Sequence, residues 1–191
     1  MISTRTRSKQ QNADEKARSK CRKKFLYYFP KGFKDRTYLD WERNYKWNAH
    51  LEWESVLNKS AFEALLSQEQ YTDIALRAVR IETRTNLLFS FEKMALRDAV
   101  RTDESAKIFA ESLYELAYGK KSIHSRFQQF VDAVGLLPRK QTRVLTWPLV
   151  TVFGFIARPD EFIFLKPKVT RNAAEEYKFL FHYTSKPSWE T

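Results

Sequence analysis

The sequence predicts an α+β fold, in which a helical N-terminal region is followed by a small antiparallel sheet and one short helix. From about residue 36 to residue 134, apolar residues recur at the three- and four-residue spacing of amphipathic helices. The pattern then changes to two β-rich runs, VLTWPLVTVFGFIA and EFIFLK, joined by Arg158-Pro159-Asp160-Glu161. Proline stands where a type I turn favours it, so the two runs are interpreted as a hairpin and residues 179–184 as a third strand.

The first 24 residues are strongly basic. They hold nine Lys and Arg against two acidic residues, which gives +7 of the formal net charge of +11. Ile2 is their only large aliphatic residue, so they cannot bury enough apolar surface to offset the entropy of ordering. The sequence therefore predicts a basic tail over residues 1–24 that is disordered in isolation, and a single α+β domain over residues 25–191. The small sheet needs more cover than this chain provides, which suggests truncation at the C-terminus.

The first long helix is predicted over residues 36–57, with Asp35 as its N-cap. Its apolar residues recur at helical spacing and predict one broad face in the core. These residues are Tyr38, Trp41, Tyr45, Ala49, Trp53 and Val56. Trp47 and Leu51 project from the opposite side, so either a second layer covers them or they form an exposed patch for a partner.

Further helices follow along the chain. Ser60 and Glu63 form a capping-box pattern that predicts a short helix. A long helix with an apolar stripe is predicted over residues 72–100. Two more are predicted over residues 103–118 and 122–134, and each ends at a glycine suited to a left-handed C-terminal cap.

Several classes of site lack their residues in this sequence. The four glycines are too scattered for a phosphate-binding loop, and the three histidines stand in no metal-binding motif. Cys21 is the only cysteine, which excludes an intramolecular disulfide and a cysteine-rich zinc site. No apolar run approaches the ~20 residues that cross a bilayer, and the N-terminus lacks the apolar stretch of a secretory signal. We therefore expect a cytoplasmic protein with no cofactor, no metal and no membrane contact.

The segment KCRKKFLYYFPKGFK interleaves cations with aromatic residues. This combination is typical of single-stranded nucleic-acid binding, through phosphate contacts and base stacking. The candidate residues in the tail are Lys20, Arg22, Lys23 and Lys24. A second basic locus surrounds Thr170, which is interpreted as the N-cap of a short helix, where free amides favour an anion. Its cations are Lys166, Lys168 and Arg171. The alternative is that the aromatic residues anchor the core and the basic run is a nonspecific leader.

Three carboxylates fall on apolar helical faces. Glu42 and Glu52 border the aromatic face of the first long helix, and Glu92 lies on the main stripe of the second. They are candidates for general acid or base groups, or for ligands of a hard cation such as Mg²⁺. The alternative is ion pairing between helices, because an unpaired charge on such a face is costly. The candidate partners are Arg77, Arg80, Arg84 and Arg97.

These observations leave three functions open. The first is a cytoplasmic module that binds nucleic acid or another polyanion through its tail and the loop at residues 166–171, with affinity that falls steeply with salt. The second is a protein-interaction or assembly subunit that uses Trp47 and Leu51 as a contact surface. The third is an enzyme built around the three carboxylates, which ranks last because no second catalytic residue type stands beside them.

Overall fold

The chain is helical, and the predicted α+β class is wrong. The computed structural model describes residues 4–140 and 142–189; about 70% of the chain is helical, and no β-strand occurs within those ranges. The α-helices are α1 (Thr4–Tyr28), α2 (Arg36–Tyr38), α3 (Asn44–Val56), α4 (Lys59–Ser67), α5 (Tyr71–Thr83), α6 (Ser90–Ala99), α7 (Asp103–Tyr118), α8 (Ile123–Leu136), α9 (Trp147–Ala157) and α10 (Pro167–Glu176). Over the same ranges, no helix combines the length and the apolar character needed to cross a membrane.

The chain forms two compact units. The first comprises Met1–Asn44 and Pro167–Tyr183, and the second comprises Tyr45–Lys166 and Thr184–Thr191. The predicted boundary after residue 24 lies inside α1, where a run of Lys, Arg, Gln, Ala and Glu without glycine or proline favours a helix. Disorder of residues 1–24 in isolation stays a prediction.

Helix α9 lies in the core of the second unit and replaces the first strand of the predicted hairpin. Ten of its eleven residues are buried, and only Phe155 is half-buried. Because α9 is buried on every side, its own sequence is a short, almost continuous apolar run. Such a run is compatible with both a strand and a buried helix, which is why the sequence predicted a strand. The cues for a helix are local, because the Thr146 hydroxyl accepts a hydrogen bond from the Leu149 amide at 3.4 Å and proline occupies the first turn.

The residues after α9 are irregular in place of the other predicted strands. The turn at residues 158–161 is present, with the Glu161 amide donating to the Arg158 carbonyl at 3.0 Å, but it follows a helix. Gly154 lets the segment that follows α9 pack close to the helix, since a Cβ at this position would lie 2.9 Å from the ring of Phe162. Residues 179–184 also lie outside any strand.

Helices α5, α7 and α8 pack around α9 and complete the core of the second unit. Phe109 of α7 contacts Phe130 of α8 and Phe153 of α9, with ring centroids 6.1 and 5.4 Å apart. All three rings are fully buried. The centre of this unit is therefore aromatic and is contributed by helices far apart in the sequence.

Asp35 is the N-cap that the sequence predicts, and its carboxylate accepts a hydrogen bond from the Thr37 amide at 2.9 Å. The helical stretch after it contains a π turn at Leu39–Arg43, between α2 and α3. The wider π turn changes the angular position of all later side chains, so the predicted apolar stripe does not stay on one face. Trp41 is 69% exposed, whereas Trp53 is fully buried. The core assignment is therefore wrong for Trp41 and confirmed for Trp53.

The helix predicted over residues 72–100 is two helices, α5 and α6, separated by a short connection. The carboxylate of Glu82 accepts hydrogen bonds from the Thr85 hydroxyl at 3.2 Å and the Leu88 amide at 3.3 Å. The Lys93 ammonium donates to two backbone carbonyls in this region, at 2.6 and 3.1 Å. Side chains thus bind backbone groups that a continuous helix would pair internally, and they stabilise the break.

The helices predicted over residues 103–118 and 122–134 are confirmed as α7 and α8, apart from their caps. The backbone of Gly119 is extended, with φ −61°, and the second glycine lies inside α8, so neither is a left-handed cap. Helix α4 begins after Asn58, whose side chain accepts a hydrogen bond from the amide three residues later at 3.0 Å. The predicted capping residue Ser60 therefore lies inside the helix.

Candidate nucleic-acid interface

The positive charge of the chain is concentrated in the first unit. Its sequence ranges hold sixteen Lys and Arg against seven Asp and Glu, a formal net charge of +9. The second unit holds eighteen against sixteen, which leaves +2. A polyanion therefore meets a much stronger attractive potential at the first unit.

Helix α1 presents the predicted tail cations to solvent. One face of α1 is half-buried at helical spacing and packs within the first unit. This face comprises Ala17, Cys21 and Phe25. Lys20, Arg22, Lys23 and Lys24 are exposed. Lys20 lies 3.7 Å from the Glu176 carboxylate of α10, but an ion pair this exposed adds little stability and leaves the lysine accessible to a ligand.

Three residues of the predicted second locus, Lys168, Thr170 and Arg171, lie on α10 in the first unit. Helix α10 begins at Pro167, and proline is well suited to the first helical position. Thr170 therefore lies inside the helix, and its predicted role as N-cap is wrong. Lys168 is exposed, and the Arg171 guanidinium lies 5.0 Å from the centre of the Tyr183 ring.

The fourth residue of that locus, Lys166, belongs to the second unit. Its ammonium donates a hydrogen bond to the Asn86 carbonyl at 3.3 Å and lies 5.0 Å from the centre of the Phe89 ring. Lys166 therefore has a structural role that its place in a basic loop sequence does not predict. The first unit brings together the tail cations and the cations of α10 without it.

Aromatic rings in the first unit contact one another but stay accessible. A chain of ring contacts, with centroids 5.0–6.5 Å apart, joins Phe25, Phe29, Phe33, Tyr38 and Trp41. Phe33 and Trp41 are nevertheless 71% and 69% exposed, and Tyr27 and Tyr28 are 79% and 60% exposed. No residue from position 25 to position 33 is buried, so the alternative that this segment anchors the core is wrong.

The first unit has almost no core of its own. Among its described side chains, Ala174 is the only buried one. Its rings therefore contribute accessible apolar surface, and such surface on a soluble domain is characteristic of binding sites. Exposed cations and exposed rings are thus present in the same unit.

The three carboxylates that the sequence singles out have separate surroundings. Glu52 pairs with Arg84 at 2.6 Å, so the ion-pair alternative is confirmed for this residue. Glu92 is buried and accepts hydrogen bonds from a backbone amide at 3.0 Å and from the Thr146 hydroxyl at 3.1 Å. Glu42 is exposed. In the part of the chain that the structure describes, no group of three His, Cys, Asp or Glu is placed to hold a metal ion.

A fourth carboxylate, that of Glu82, is buried but was not predicted from the sequence. It is fully buried, and burial raises its pKa, while Lys93 at 3.8 Å acts to lower it. Ile74 and Ala78 precede it at intervals of four residues, so it lies on the apolar stripe of α5. The argument that identified Glu92 therefore applies equally to Glu82. The hydrogen bonds of Glu82 go to the connection between α5 and α6, which gives this residue a structural role.

Trp47 and Leu51 lie on the accessible side of α3. They are 39% and 51% exposed. Both side chains are therefore accessible, and their contact with a partner stays a prediction.

Comparison with known proteins gives no match for this chain, whether against family models, curated proteins or solved structures. The function is therefore inferred from the charge, exposure and contacts of the chain's own residues.

Proposed function

We propose that the first unit binds single-stranded nucleic acid in the cytoplasm. The observation that carries the proposal is the coincidence of a net charge of +9 with exposed aromatic rings in a unit that has almost no core. The cations attract the phosphate backbone, and the rings offer faces to bases.

The exposed rings favour a single strand over a duplex. Bases in a duplex are already stacked and paired, whereas bases of a single strand are free to stack on aromatic side chains. Stacking contributes about 1–3 kcal/mol per base. A basic helix without rings would bind both forms through phosphates alone. Tyr27 and Tyr28 are the best candidates for stacking because they are the most exposed rings next to the tail cations.

The electrostatic part is tested by fluorescence-anisotropy titration of labelled single-stranded DNA, RNA and duplex DNA at several salt concentrations. For a single strand, log K falls with log salt with a slope of about −0.7 per neutralised phosphate. The double variant Lys23→Ala/Lys24→Ala is expected to weaken binding to all sequences and to flatten this slope by up to about 1.4. The matched control is Lys120→Ala/Lys121→Ala, an adjacent exposed lysine pair in the second unit.

The stacking part is tested separately with Tyr27→Ala. We expect single-strand affinity to fall by about 5- to 150-fold, with an unchanged salt slope and unchanged duplex affinity. Phe91→Ala, which removes a ring that is 51% exposed in the second unit, is the control. The proposal is overturned if the wild type does not bind, or if both lysine pairs contribute equally. Equal loss of duplex and single-strand binding in Tyr27→Ala would identify a general polyanion site in place of a single-strand site.

A second candidate function is protein assembly through α3, favoured by the exposure of Trp47 and Leu51. Exposed aromatic and aliphatic side chains on one helix are typical of contact surfaces. Self-association through this surface predicts a concentration-dependent sedimentation coefficient that Leu51→Glu abolishes. A wild-type protein that sediments as a monomer at all concentrations would remove this version of the hypothesis.

A further inference from the structure

The second unit contains a groove of about 520 Å³ between α3 and the chain that follows α9. This volume falls within the range of small-molecule sites. Its lining residues are Trp47, His50, Glu54, Ala157, Arg158, Pro159 and Asp160. None of them belongs to the first unit, so the groove is independent of the proposed nucleic-acid interface.

The α3 wall of the groove is held in place by a contact with α9. Nδ1 of His50 lies 2.9 Å from the Ile156 carbonyl oxygen. A carbonyl only accepts, so Nδ1 carries the proton and donates it in this bond. The Trp47 ring lies 5.0 Å from the His50 ring, centroid to centroid. The hydrogen bond to Ile156 thus fixes the orientation of the His50 ring, and this ring in turn supports the indole of Trp47.

The opposite wall is held by a chain of ion pairs. Arg158 pairs with Glu161 through Nη2, and its Nε lies 3.5 Å from the Asp160 carboxylate. The other oxygen of Glu161 lies 2.5 Å from Nη2 of Arg126, whose side chain is almost fully buried. Two arginines therefore balance two carboxylates. Hydrogen bonding to its own backbone amide and to Arg158 lowers the pKa of Asp160, which keeps this carboxylate ionised.

Three features give the groove a negative character. Glu54 is exposed and adds a carboxylate that the four-residue cluster of arginines and acids does not balance. The groove lies at the C-terminal end of α9, where the helix dipole is negative. Trp47 is 39% exposed, and indole is the aromatic ring that attracts cations best. Asp160 is shared with Arg158, so the charged lining residues Glu54, Arg158 and Asp160 together carry a formal charge of −1, which favours a cation over an anion.

We propose that this groove binds an organic cation, an alkyl guanidinium or ammonium, with the charged head between Glu54 and Asp160 and against the Trp47 ring. Both carboxylates accept hydrogen bonds from the head group, and the indole adds a cation–π contact. The source of the cation is a free small amine or the side chain of Arg or Lys in a polypeptide. The fixed walls reduce the ordering that binding requires.

The binding test uses the full chain, labelled with ¹⁵N, and follows the indole N–H signals of its five tryptophans. The Trp47 signal is assigned by its loss in Trp47→Phe, which keeps the fold because this side chain is 39% exposed. The probe is N-acetyl-argininamide, and its uncharged isostere N-acetyl-citrullinamide is the control ligand. We expect the Trp47 signal to shift with the first probe, and with an affinity about tenfold or more above that of the second.

Matched variants locate the site. Trp47→Ala is expected to lower the affinity about three- to tenfold, whereas Trp41→Ala, which removes an exposed tryptophan of the first unit, has no effect. Glu54→Gln is expected to weaken binding, and the exposed Glu104→Gln is its control. A glycine-flanked arginine peptide that binds more tightly than N-acetyl-argininamide identifies a polypeptide as the source, and equal affinity identifies a small amine.

Two results would overturn the proposal. The first is equal binding of the citrulline analogue, because the charge would then contribute nothing. The second is the absence of any shift of the Trp47 signal up to a probe concentration of about 50 mM. Neither result affects the proposed nucleic-acid interface, whose variants lie in the other unit.

Discussion

Two tryptophans on the helical stretch after Asp35 are expected to respond very differently to replacement by alanine. Trp53 is fully buried, and its indole N–H donates a hydrogen bond to the Tyr118 hydroxyl at 2.9 Å. That hydroxyl in turn donates to the Leu57 carbonyl at 2.8 Å. Trp41 is 69% exposed and contacts only the edge of another ring, Phe29, among the aromatic contacts of the described residues.

The magnitudes follow from burial. Replacing a fully buried tryptophan by alanine costs about 3–5 kcal/mol, including the cavity that remains. Loss of the hydrogen bond to Tyr118 places Trp53→Ala toward the upper end of this range. About a third of the Trp41 surface is covered, roughly 60 Å² of a side chain of about 200 Å², which corresponds to at most about 1.5 kcal/mol.

The assay is urea unfolding of the two variants and the wild type, followed by far-UV circular dichroism. With an m-value of about 2 kcal/mol/M, Trp53→Ala should lower the midpoint by about 2 M and Trp41→Ala by less than about 1 M. Trp53→Phe keeps most of the buried surface and should fall between them. Equal losses in the two alanine variants would refute the assignment of Trp41 to the surface.

Three further perturbations test the fold. Gly154→Ala should destabilise the protein by about 1–3 kcal/mol, since its Cβ would lie 2.9 Å from the phenyl ring of Phe162. Gly135→Ala has ordinary contacts at 3.7 Å and should stabilise α8 by up to about 1 kcal/mol. Thermal unfolding should therefore show midpoint shifts of opposite sign for the two variants. Burial raises the pKa of Glu82 above its ordinary value of 4.5, so its contribution is fully present below that pH and is lost as the pH rises through the folded-state pKa. Glu82→Gln should therefore gain stability relative to the wild type between about pH 4.5 and 7, and a pH-independent difference in urea midpoints would contradict this. Asn58→Ala should cost about 1 kcal/mol of unfolding free energy, and Ser60→Ala less than about 0.5 kcal/mol. A larger loss for Ser60→Ala than for Asn58→Ala would identify Ser60 as the cap, as the sequence predicts.

The positions of most helices in the second unit could be predicted from the sequence. The helices predicted over residues 103–118 and 122–134 are present because their apolar residues recur on one face and the opposite face is polar. The predicted helix over residues 72–100 was right in type but wrong in continuity. Its break depends on the buried Glu82 and on Lys93, and the periodicity of a single helix carries no information about such contacts.

The candidate interface was only partly predictable. The basic tail and the aromatic segment after it are visible in composition. Their exposure is not, because the same rings would suit a core, and the π turn that leaves Trp41 accessible has no periodic signature. Lys166 has contacts that its basic neighbours do not predict, since its ammonium donates to the Asn86 carbonyl and lies near the Phe89 ring, and its role in anion binding stays a prediction.

By itself, the sequence determined the helical spacing of most elements, the Asp35 cap and the concentration of positive charge near the N-terminus. These properties depend on residues that are close together in the chain. The tertiary structure decided that residues 147–157 form a buried helix. An apolar run with no polar face shows neither the helical nor the strand period, so its sequence does not distinguish the two. The tertiary structure also decided which aromatic side chains are exposed and which carboxylates are paired. Exposure and pairing depend on contacts between residues far apart in the sequence, as in the ion pair of Glu52 with Arg84.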